Sequence, residues 1–305
     1  MSVHQPVLYQ EIILALRPQR RGHYIDGTVG LGGHAWGILE ASQPDGLLLG
    51  LDVDPYALEL AELRLAEFGQ RATLIRASYT DLPAQLENIG WQAVDGILLD
   101  LGVSSLQLDT PQRGFSFRSD APLDMRYDPD NPVRAVDLVN SLPESDIADI
   151  LYRYGEERRS RQVARAIVAA RPVLTTKQLA GVVSSVTMSG RKGLHPATRT
   201  FQAFRIAVNR ELDALEKFLP QAVSALAPQA RLAVISFHSL EDRIVKHYFR
   251  RESTGCLCPP KQPQCTCGHE AQLRLLTKRP TRPGNSETVS NPRSRSARLR
   301  VAQKL

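Results

Sequence analysis

Through the first hundred residues, short apolar runs alternate with stretches whose apolar positions recur at helical spacing, the pattern of a parallel sheet with crossover helices. Residues 24–26, 47–52, 73–76 and 94–100 read as four strands, and three of them end at a polar residue or turn. The helix after the second strand is well signalled. Asp54 can cap it, Pro55 fits its first position, and Ala57, Leu58, Ala61 and Leu65 follow near helical spacing. From Asp109 the strand-like runs vanish, and a Pro-, Arg- and Asp-rich stretch leads into helices. Ile147, Ile150, Leu151 and Tyr154 fall at i, i+3, i+4 and i+7, as do Leu179, Val182, Val183 and Val186. A long helix is expected from about Thr200, with Phe201, Phe204, Val208, Leu212, Leu215 and Leu219 on one stripe until Pro220 stops it. Strand character returns at 232–237 and, more weakly, near 273–276 and 298–301. The pattern therefore divides the chain into 1–108, a helical insertion at 109–199, and 200–305, where the sheet resumes.

Composition adds limits. The 305 residues are 42% hydrophobic and 23% charged, enough for a substantial core. No apolar run approaches the roughly 20 residues of a membrane span, and the N-terminus has no basic stretch followed by an apolar one, so a cytoplasmic location without membrane contact is expected. Net charge is +6, which suits a polyanionic partner. The basic charge is concentrated: Arg274 to Lys304 holds nine Lys or Arg against one acid, Glu287. That stretch reads either as a solvated tail or as a phosphate contact, and its Arg-, Pro- and Ser-rich part, 278–298, is expected to be extended or loosely ordered. All four cysteines lie in Cys256-Leu-Cys258 and Cys265-Thr-Cys267, with Pro259, Pro260 and Pro263 between the pairs. A tetrahedral zinc and a reduced, Pro-rich surface loop are both open. Each pair has one intervening residue where zinc sites usually have two or more, so no metal is assigned.

The strongest chemical signal is Ile25-Asp26-Gly27-Thr28-Val29-Gly30-Leu31-Gly32-Gly33-His34, a strand running into a glycine-rich turn that opens a helix and lets a ligand approach the backbone. The spacing is acid-x-x-x-Gly-x-Gly. In the Gly-x-Gly-x-x-Gly pattern of dinucleotide sites the third glycine would fall on Ala35. That favours S-adenosylmethionine over NAD. Asp52 ends the second strand about 20 residues on, where an acid accepts hydrogen bonds from ribose hydroxyls. Asp100 ends the fourth strand, beside the switch point of such sheets. Either aspartate alone reads equally well as a cap or turn residue. Tyr79, beyond the third strand, reads as an adenine platform or as an edge-packing aromatic.

On these residues the chain resembles the bacterial small-subunit ribosomal RNA methyltransferase H family, also called MraW. The likeness spans nearly the whole chain. It rests on His4-Gln5-Pro6-Val7-Leu8, on Tyr24 to Thr28 with Gly32-Gly33-His34, on Asp95 to Ser105, and on Arg113-Gly114-Phe115-Ser116-Phe117. It continues in Pro122 to Arg126, Tyr154 to Arg158, His195 to Gln202, Ile235 to Arg243 and Asn291-Pro292-Arg293. The resemblance implies an α/β class I S-adenosylmethionine methyltransferase, with a Rossmann-like, seven-stranded, mostly parallel sheet and an inserted helical domain. It implies methylation of a cytidine of the 16S decoding centre on its exocyclic N4 amine, with 16S ribosomal RNA, in the small ribosomal subunit, as partner. Its implied cofactor site is Gly32, Gly33, His34, Asp52, Tyr79, Asp100 and Gln107.

An exocyclic amine is a poor nucleophile because its lone pair is delocalised into the ring. A hydrogen-bond acceptor near it is needed, and Asp100, or a backbone carbonyl of Leu101 to Val103, is best placed by sequence. The base must also be unstacked, which calls for aromatic and Arg platforms. Arg113, Phe115, Phe117 and Arg126 in the insertion, with Phe237 and His238 after the fifth strand, are the RNA-binding candidates. Packing of Phe115 and Phe117 against the sheet is the competing reading. Arg158, Arg161, Arg199 and Arg205 are further phosphate-contact candidates, with ion pairs to Glu156, Glu157 or Glu211 as the default reading. An NAD-linked oxidoreductase and a non-catalytic ribosome-assembly factor are the alternative functions, and homodimerisation is left open.

Overall fold

The computed structural model describes residues 6–187, 195–259, 262 and 264–305. His4 and Gln5 of the first motif, and Pro260 and Pro263 of the cysteine segment, lie outside them. The chain forms two compact units, Met1–Gly102 with Leu212–Leu305, and Val103–Glu211. The second unit extends beyond the 109–199 expected from sequence at both ends.

The first unit runs α1 (Tyr9–Leu16), β1 (His23–Asp26), α2 (Gly33–Ala41), β2 (Leu47–Asp52), α3 (Pro55–Leu65), β3 (Ala72–Arg76), α4 (Leu82–Ile89) and β4 (Val94–Asp100). The second unit contributes α5 (Ser105–Asp109), α6 (Ala135–Ser141), α7 (Glu144–Gly155), α8 (Ser160–Ala169), α9 (Thr176–Val186) and α10 (Thr198–Asn209). The first unit is then completed by α11 (Glu211–Ala225, of which all but Glu211 belongs here), β5 (Leu226–Ser236), α12 (Ser239–Glu252), β6 (Leu273–Leu275), α13 (Asn285–Ser290) and β7 (Arg298–Lys304).

The seven strands form one sheet in the order β3-β2-β1-β4-β5-β7-β6. All pairs up to β5 are parallel, and β7 runs antiparallel to both of its neighbours. Successive strand residues feed opposite faces, as the period of two requires. Ile25, Leu49, Ile97, Leu99, Leu232 and Val234 pack on one face with Leu82 and Leu86 of α4, Leu215, Phe218 and Leu219 of α11, and Val245 and Phe249 of α12. Tyr24, Leu48, Leu98, Ala233 and Ile235 pack on the other with Ile12 and Leu16 of α1, Ile38 and Leu39 of α2, and Leu58 and Leu65 of α3. Each such side chain removed from water contributes about 1.5–3 kcal/mol, which is why both faces are helix-covered. Helix α3 begins as its sequence dictates: the Asp54 side chain accepts from Tyr56 N at 3.2 Å, with Pro55 in the first turn. In the second unit a separate core gathers Ile147 and Leu151 of α7, Val163 and Ile167 of α8, Leu179 and Val183 of α9, and Phe201 and Phe204 of α10.

Three expectations need correction. The helix expected from Thr200 to Pro220 is two helices, because Arg210 adopts a left-handed conformation (φ 50°) between α10 and α11. Pro220 lies inside α11 instead of ending it. Proline leaves the carbonyl four residues earlier without its donor. Here that residue, Glu216, and Pro220 are both exposed, so water can serve the carbonyl while Leu215, Phe218, Leu219, Ala222 and Val223 hold the buried face. The third correction concerns 278–298, which is ordered. Thr281 bridges to Leu299, α13 follows, and Glu287 Oε1 accepts from Leu8 N at 2.8 Å. Ser294 is fully buried, and its Oγ donates to Asn291 O at 2.8 Å.

The basic C-terminal stretch is thereby partly internal. Arg298 Nη1 and Arg300 Nε, both on β7, donate to Asp242 Oδ2 and Oδ1 of α12 at 2.8 and 2.7 Å. Burial works to raise the Asp242 carboxyl, but the hydrogen bonds from Arg300 and Arg298 prevail and hold it below the usual range. A depressed folded value means a stabilising contribution that is complete above the unfolded value near 3.9 and is lost as pH falls through the folded one. Asp242→Ala should cost roughly 2–4 kcal/mol at pH 7, since it strands two guanidiniums, one of them buried. The difference from wild type in urea midpoints should shrink below about pH 4. A midpoint at pH 7 unchanged by the substitution would count against this clamp.

Candidate functional site

The site is built at the C-terminal edge of the sheet, where β1 pairs with β2 on one side and β4 on the other, the switch point of the strand order. Between β1 and α2, the turn is stitched to both neighbours. Gly27 N donates to Leu98 O, and Val29 N to Leu51 O, each at 2.9 Å. Gly30 N donates to Asp52 Oδ2 at 2.8 Å, and Asp100 N donates to Thr28 Oγ1 at 2.7 Å. Gly30 and Gly32 have φ of 51° and 73°, a region side-chain-bearing residues enter at a cost. A Cβ on Gly27 would lie 3.0 Å from Leu99 Cδ1 and 3.2 Å from Tyr79 Cβ, so a larger residue here would require both neighbours to shift by a few tenths of an ångström.

Three carboxylates converge on that turn. Asp52, at the end of β2, takes Gly30 N on one oxygen and Asp54 N, at 2.9 Å, on the other. Burial raises its carboxyl to about 6, against the lowering effect of the Asp54 and Gly30 amides. Asp26, 1% exposed, has an oxygen 3.2 Å from its donor, Thr28 N. Burial is the main cause that lifts Asp26 to about 7; His34 and the Thr28 amide lower it, and Asp100 and Asp52 add to the rise. Asp100, at the end of β4, places Oδ2 3.5 Å from Nε2 of His34 in the first turn of α2. Both ring nitrogens of the buried His34, and Asp100 Oδ1, lack a hydrogen-bond partner in the protein. Buried polar atoms of a folded chain are nearly always paired, so three unpaired ones together mark a place where a ligand or water completes the set. Tyr9 stacks over His34 with ring centroids 6.3 Å apart.

The structure thus brings Gly32, Gly33, His34, Asp52 and Asp100 to one sheet edge. Tyr79, in a short turn after β3, packs edge-on against Phe218 of α11 with centroids 5.1 Å apart, and its backbone borders Gly27. Gln107 belongs to the second unit, where it forms a capping box: Ser104 N donates to its Oε1 at 3.1 Å and its own N to Ser104 Oγ at 3.2 Å. Asp26 and Thr28 went unassigned in the sequence reading. Asp26 opens the glycine pattern, which was the available signal, whereas nothing in the sequence says that Thr28 Oγ1 reaches β4.

The residues chosen as RNA platforms have other partners. Arg113 Nη2 donates to the carbonyls of Arg126 and Tyr127 at 2.9 and 2.8 Å. Arg126 forms a two-point pair with Asp124 and also donates to Pro129 O and Asn131 O. Phe115 is buried and stacks on Tyr127 at 5.5 Å, while Phe117 lies against Phe201 and His195 at 4.9 and 4.5 Å. These contacts favour packing for the two phenylalanines, within the second unit's own core. Phe237 lies beside Gly102, whose φ is 97°. His238 caps α12 through Nδ1, 3.4 Å from Glu241 N, and Glu241 Oε2 accepts from Phe237 N and His238 N. Arg205 forms a two-point pair with Glu211 at 2.7 and 2.8 Å, and Arg199 lies 3.9 Å from Glu157.

Sheet order, reversed β7 and the glycine turn flanked by acidic strand ends define a class I, Rossmann-like methyltransferase. The chain belongs to the MraW methylase family, whose model matches residues 1–305, a family of S-adenosylmethionine-dependent methyltransferases. It is 50% identical over 308 residues to a protein of Heliobacterium mobile and 51% identical over 307 residues to one of Geobacter sulfurreducens, covering 99% of both chains in each case. A protein of Thermomicrobium roseum is 50% identical, with 100% of this chain and 94% of the relative covered. All three relatives are named ribosomal RNA small subunit methyltransferase H.

A raised Asp26 carboxyl has a stability consequence with a definite sign. Between the unfolded value near 3.9 and about 7, the folded protein holds a proton that the unfolded chain has released, so stability contributed by this group is lost as pH rises through that window. Asp26→Asn should therefore gain on wild type by about 2 kcal/mol between pH 5 and pH 8, read from urea midpoints at both values. An equal difference at the two pH values would show that Asp26 is ionised throughout.

Proposed function

We propose that this protein methylates the exocyclic N4 amine of a cytidine in the decoding centre of 16S ribosomal RNA, taking the methyl group from S-adenosylmethionine and working on the small ribosomal subunit. The observation that carries the reading is the set of partnerless buried atoms, His34 Nδ1 and Nε2 and Asp100 Oδ1, at a switch point lined by acids. This set fits the donor. Three carboxylates within electrostatic reach of one another suit a sulfonium and an ammonium, and they oppose the pyrophosphate that NAD would bring. The names of the relatives support ribosomal RNA of the small subunit as the acceptor.

When bound, S-adenosylmethionine supplies an electrophilic methyl group. Asp52, which already accepts from Gly30 N and Asp54 N, would accept hydrogen bonds from the ribose hydroxyls on its remaining lone pairs. The turn at Gly30 and Gly32 would let the methionine part lie against backbone, and Tyr79 would be the platform for the adenine. Asp100 Oδ1 accepts a hydrogen bond from the target amine, which localises the nitrogen lone pair and faces the positive charge that develops there. The bound donor would supply the methyl group to the amine nitrogen, and the surplus proton of the amine would pass to water. His238 is not needed as a base, in keeping with its use as a helix cap. Within the second unit Phe117 is a candidate platform for an unstacked base, with Arg113, Phe115 and Arg126 as the scaffold around it; in the first unit Phe237 and His238, which follow β5, are the RNA-contact candidates.

Two measurements test this. Asp52→Ala should weaken S-adenosylmethionine binding at least about tenfold by calorimetry, since charged hydrogen bonds are worth about 1.5–3 kcal/mol each. Wild-type affinity should rise as pH goes from 5 to 7 and Asp52 ionises near 6. Equal affinity in the variant would remove Asp52 from the site. For the acceptor, the protein is incubated with labelled S-adenosylmethionine and immature small subunits, and the RNA is digested to nucleosides. Label in N4-methylcytidine is expected. Label in another nucleoside would refute the N4 assignment, and bound donor with no labelled RNA would favour an assembly role.

A further inference from the structure

The four cysteines converge. Although they lie in two pairs separated by six residues, all four sulfurs fall within 4.8 Å of one another. The separations are 3.5 Å between Cys256 and Cys265, 3.6 Å between Cys265 and Cys267, 3.9 Å between Cys256 and Cys267, and 4.0 Å between Cys258 and Cys265. A disulfide would need about 2.05 Å, so none of these pairs is oxidised. A zinc ion with tetrahedral bonds of about 2.3 Å to four sulfurs sets its ligands about 3.8 Å apart, and the four separations bracket that value. The single intervening residue in each pair, which argued against metal on sequence spacing, does not keep Cys265 and Cys267 apart.

We propose that Cys256, Cys258, Cys265 and Cys267 form a structural zinc site that holds together the segment joining α12 to β6. The described residues of the segment offer no buried apolar core. Among the described residues from 253 to 272 none is buried, and Leu257, its one large aliphatic residue, is 42% exposed. Loops of this length without secondary structure are uncommon in compact units, and small segments that lack a core are commonly cross-linked by metal or disulfide. Its ends are drawn together by Gln272 N, which donates to Glu252 O at 2.8 Å, so the cluster closes the far end of a loop already pinned at its base.

Backbone amides are aimed at three of the four sulfurs. Leu257 N donates to Cys267 Sγ at 3.3 Å, Thr266 N to Cys258 Sγ at 3.4 Å, and Cys258 N to Cys256 Sγ at 3.4 Å. Four adjacent sulfurs cannot all ionise without a cation among them. A divalent one removes the conflict, and the displaced thiol protons go to solvent. Soft thiolates in tetrahedral array select zinc over harder divalent ions.

The full chain, purified in reductant without chelator and dialysed after exposure to zinc, should retain about one zinc per chain by elemental mass spectrometry. Replacing zinc by cobalt should produce the intense visible bands of a tetrahedral tetrathiolate. The double variant Cys265→Ser with Cys267→Ser should lose both signals. Stripping the metal from the wild-type chain should open residues 253–272 to protease while calorimetric binding of S-adenosylmethionine stays intact, a readout that does not depend on the variant folding. Less than about half an equivalent of zinc, or a mass showing two disulfides in the freshly purified protein, would overturn the proposal. So would cleavage in this segment at the same rate with and without metal.

Discussion

Everything at the site depends on how the turn after β1 is held. Its amides at Gly27, Val29 and Gly30 are spent on Leu98 O, Leu51 O and the Asp52 carboxylate, and its Thr28 hydroxyl receives the Asp100 amide. The turn is therefore a direct extension of the sheet, and its shape follows from the register of β1 against β2 and β4. A slip of one residue in either pairing would exchange the inward and outward faces of a strand. It would also carry Asp52 or Asp100 away from the turn. Burying Leu48 and Leu49, or Leu98 and Leu99, on opposite faces of the sheet prevents that slip. The same packing that stabilises the unit sets the positions of the acids.

That arrangement explains why so much was legible. Strands and crossover helices announce themselves through local hydrophobic period, and each acid of the proposed site stands at the last residue of a strand, where period and polarity change together. Asp52 and Asp100 could be found without knowing what they touch. Contacts across the sheet carry no such mark. Asp26 looked like one more residue of the glycine pattern, and its buried carboxyl is defined by Asp52, Asp100 and His34, which arrive from other elements.

The misjudged segments share a cause. Proline inside a helix is read from sequence as a stop, because the missing donor and the ring both disfavour continuation. In α11 the cost falls on the exposed side, while five apolar residues on the opposite side are buried. Tertiary burial outweighs the local preference. The break at Arg210 is the converse, since the apolar stripe continues through a point where the chain turns and changes unit. At 278–298 composition suggested looseness, yet a serine with no apolar character is fully buried there because its hydroxyl is satisfied by Asn291 O.

Charge patterns are the least transparent from sequence, since a guanidinium available to phosphate and one consumed within the fold are written with the same letter. Arg126 and Arg205 make two-point pairs with carboxylates, and Arg298 with Arg300 shares Asp242. Such pairs are geometrically specific and would have to be broken before either side chain could reach RNA. The Arg and Phe interleaving at 113–126 is thus better understood as the framework of the second unit, with Phe115 in its core. A recognition surface assembled on that framework can be rigid without these residues contacting the base, which separates the two demands that unstacking a nucleotide places on the protein: a firm wall, and exposed groups to face the substrate.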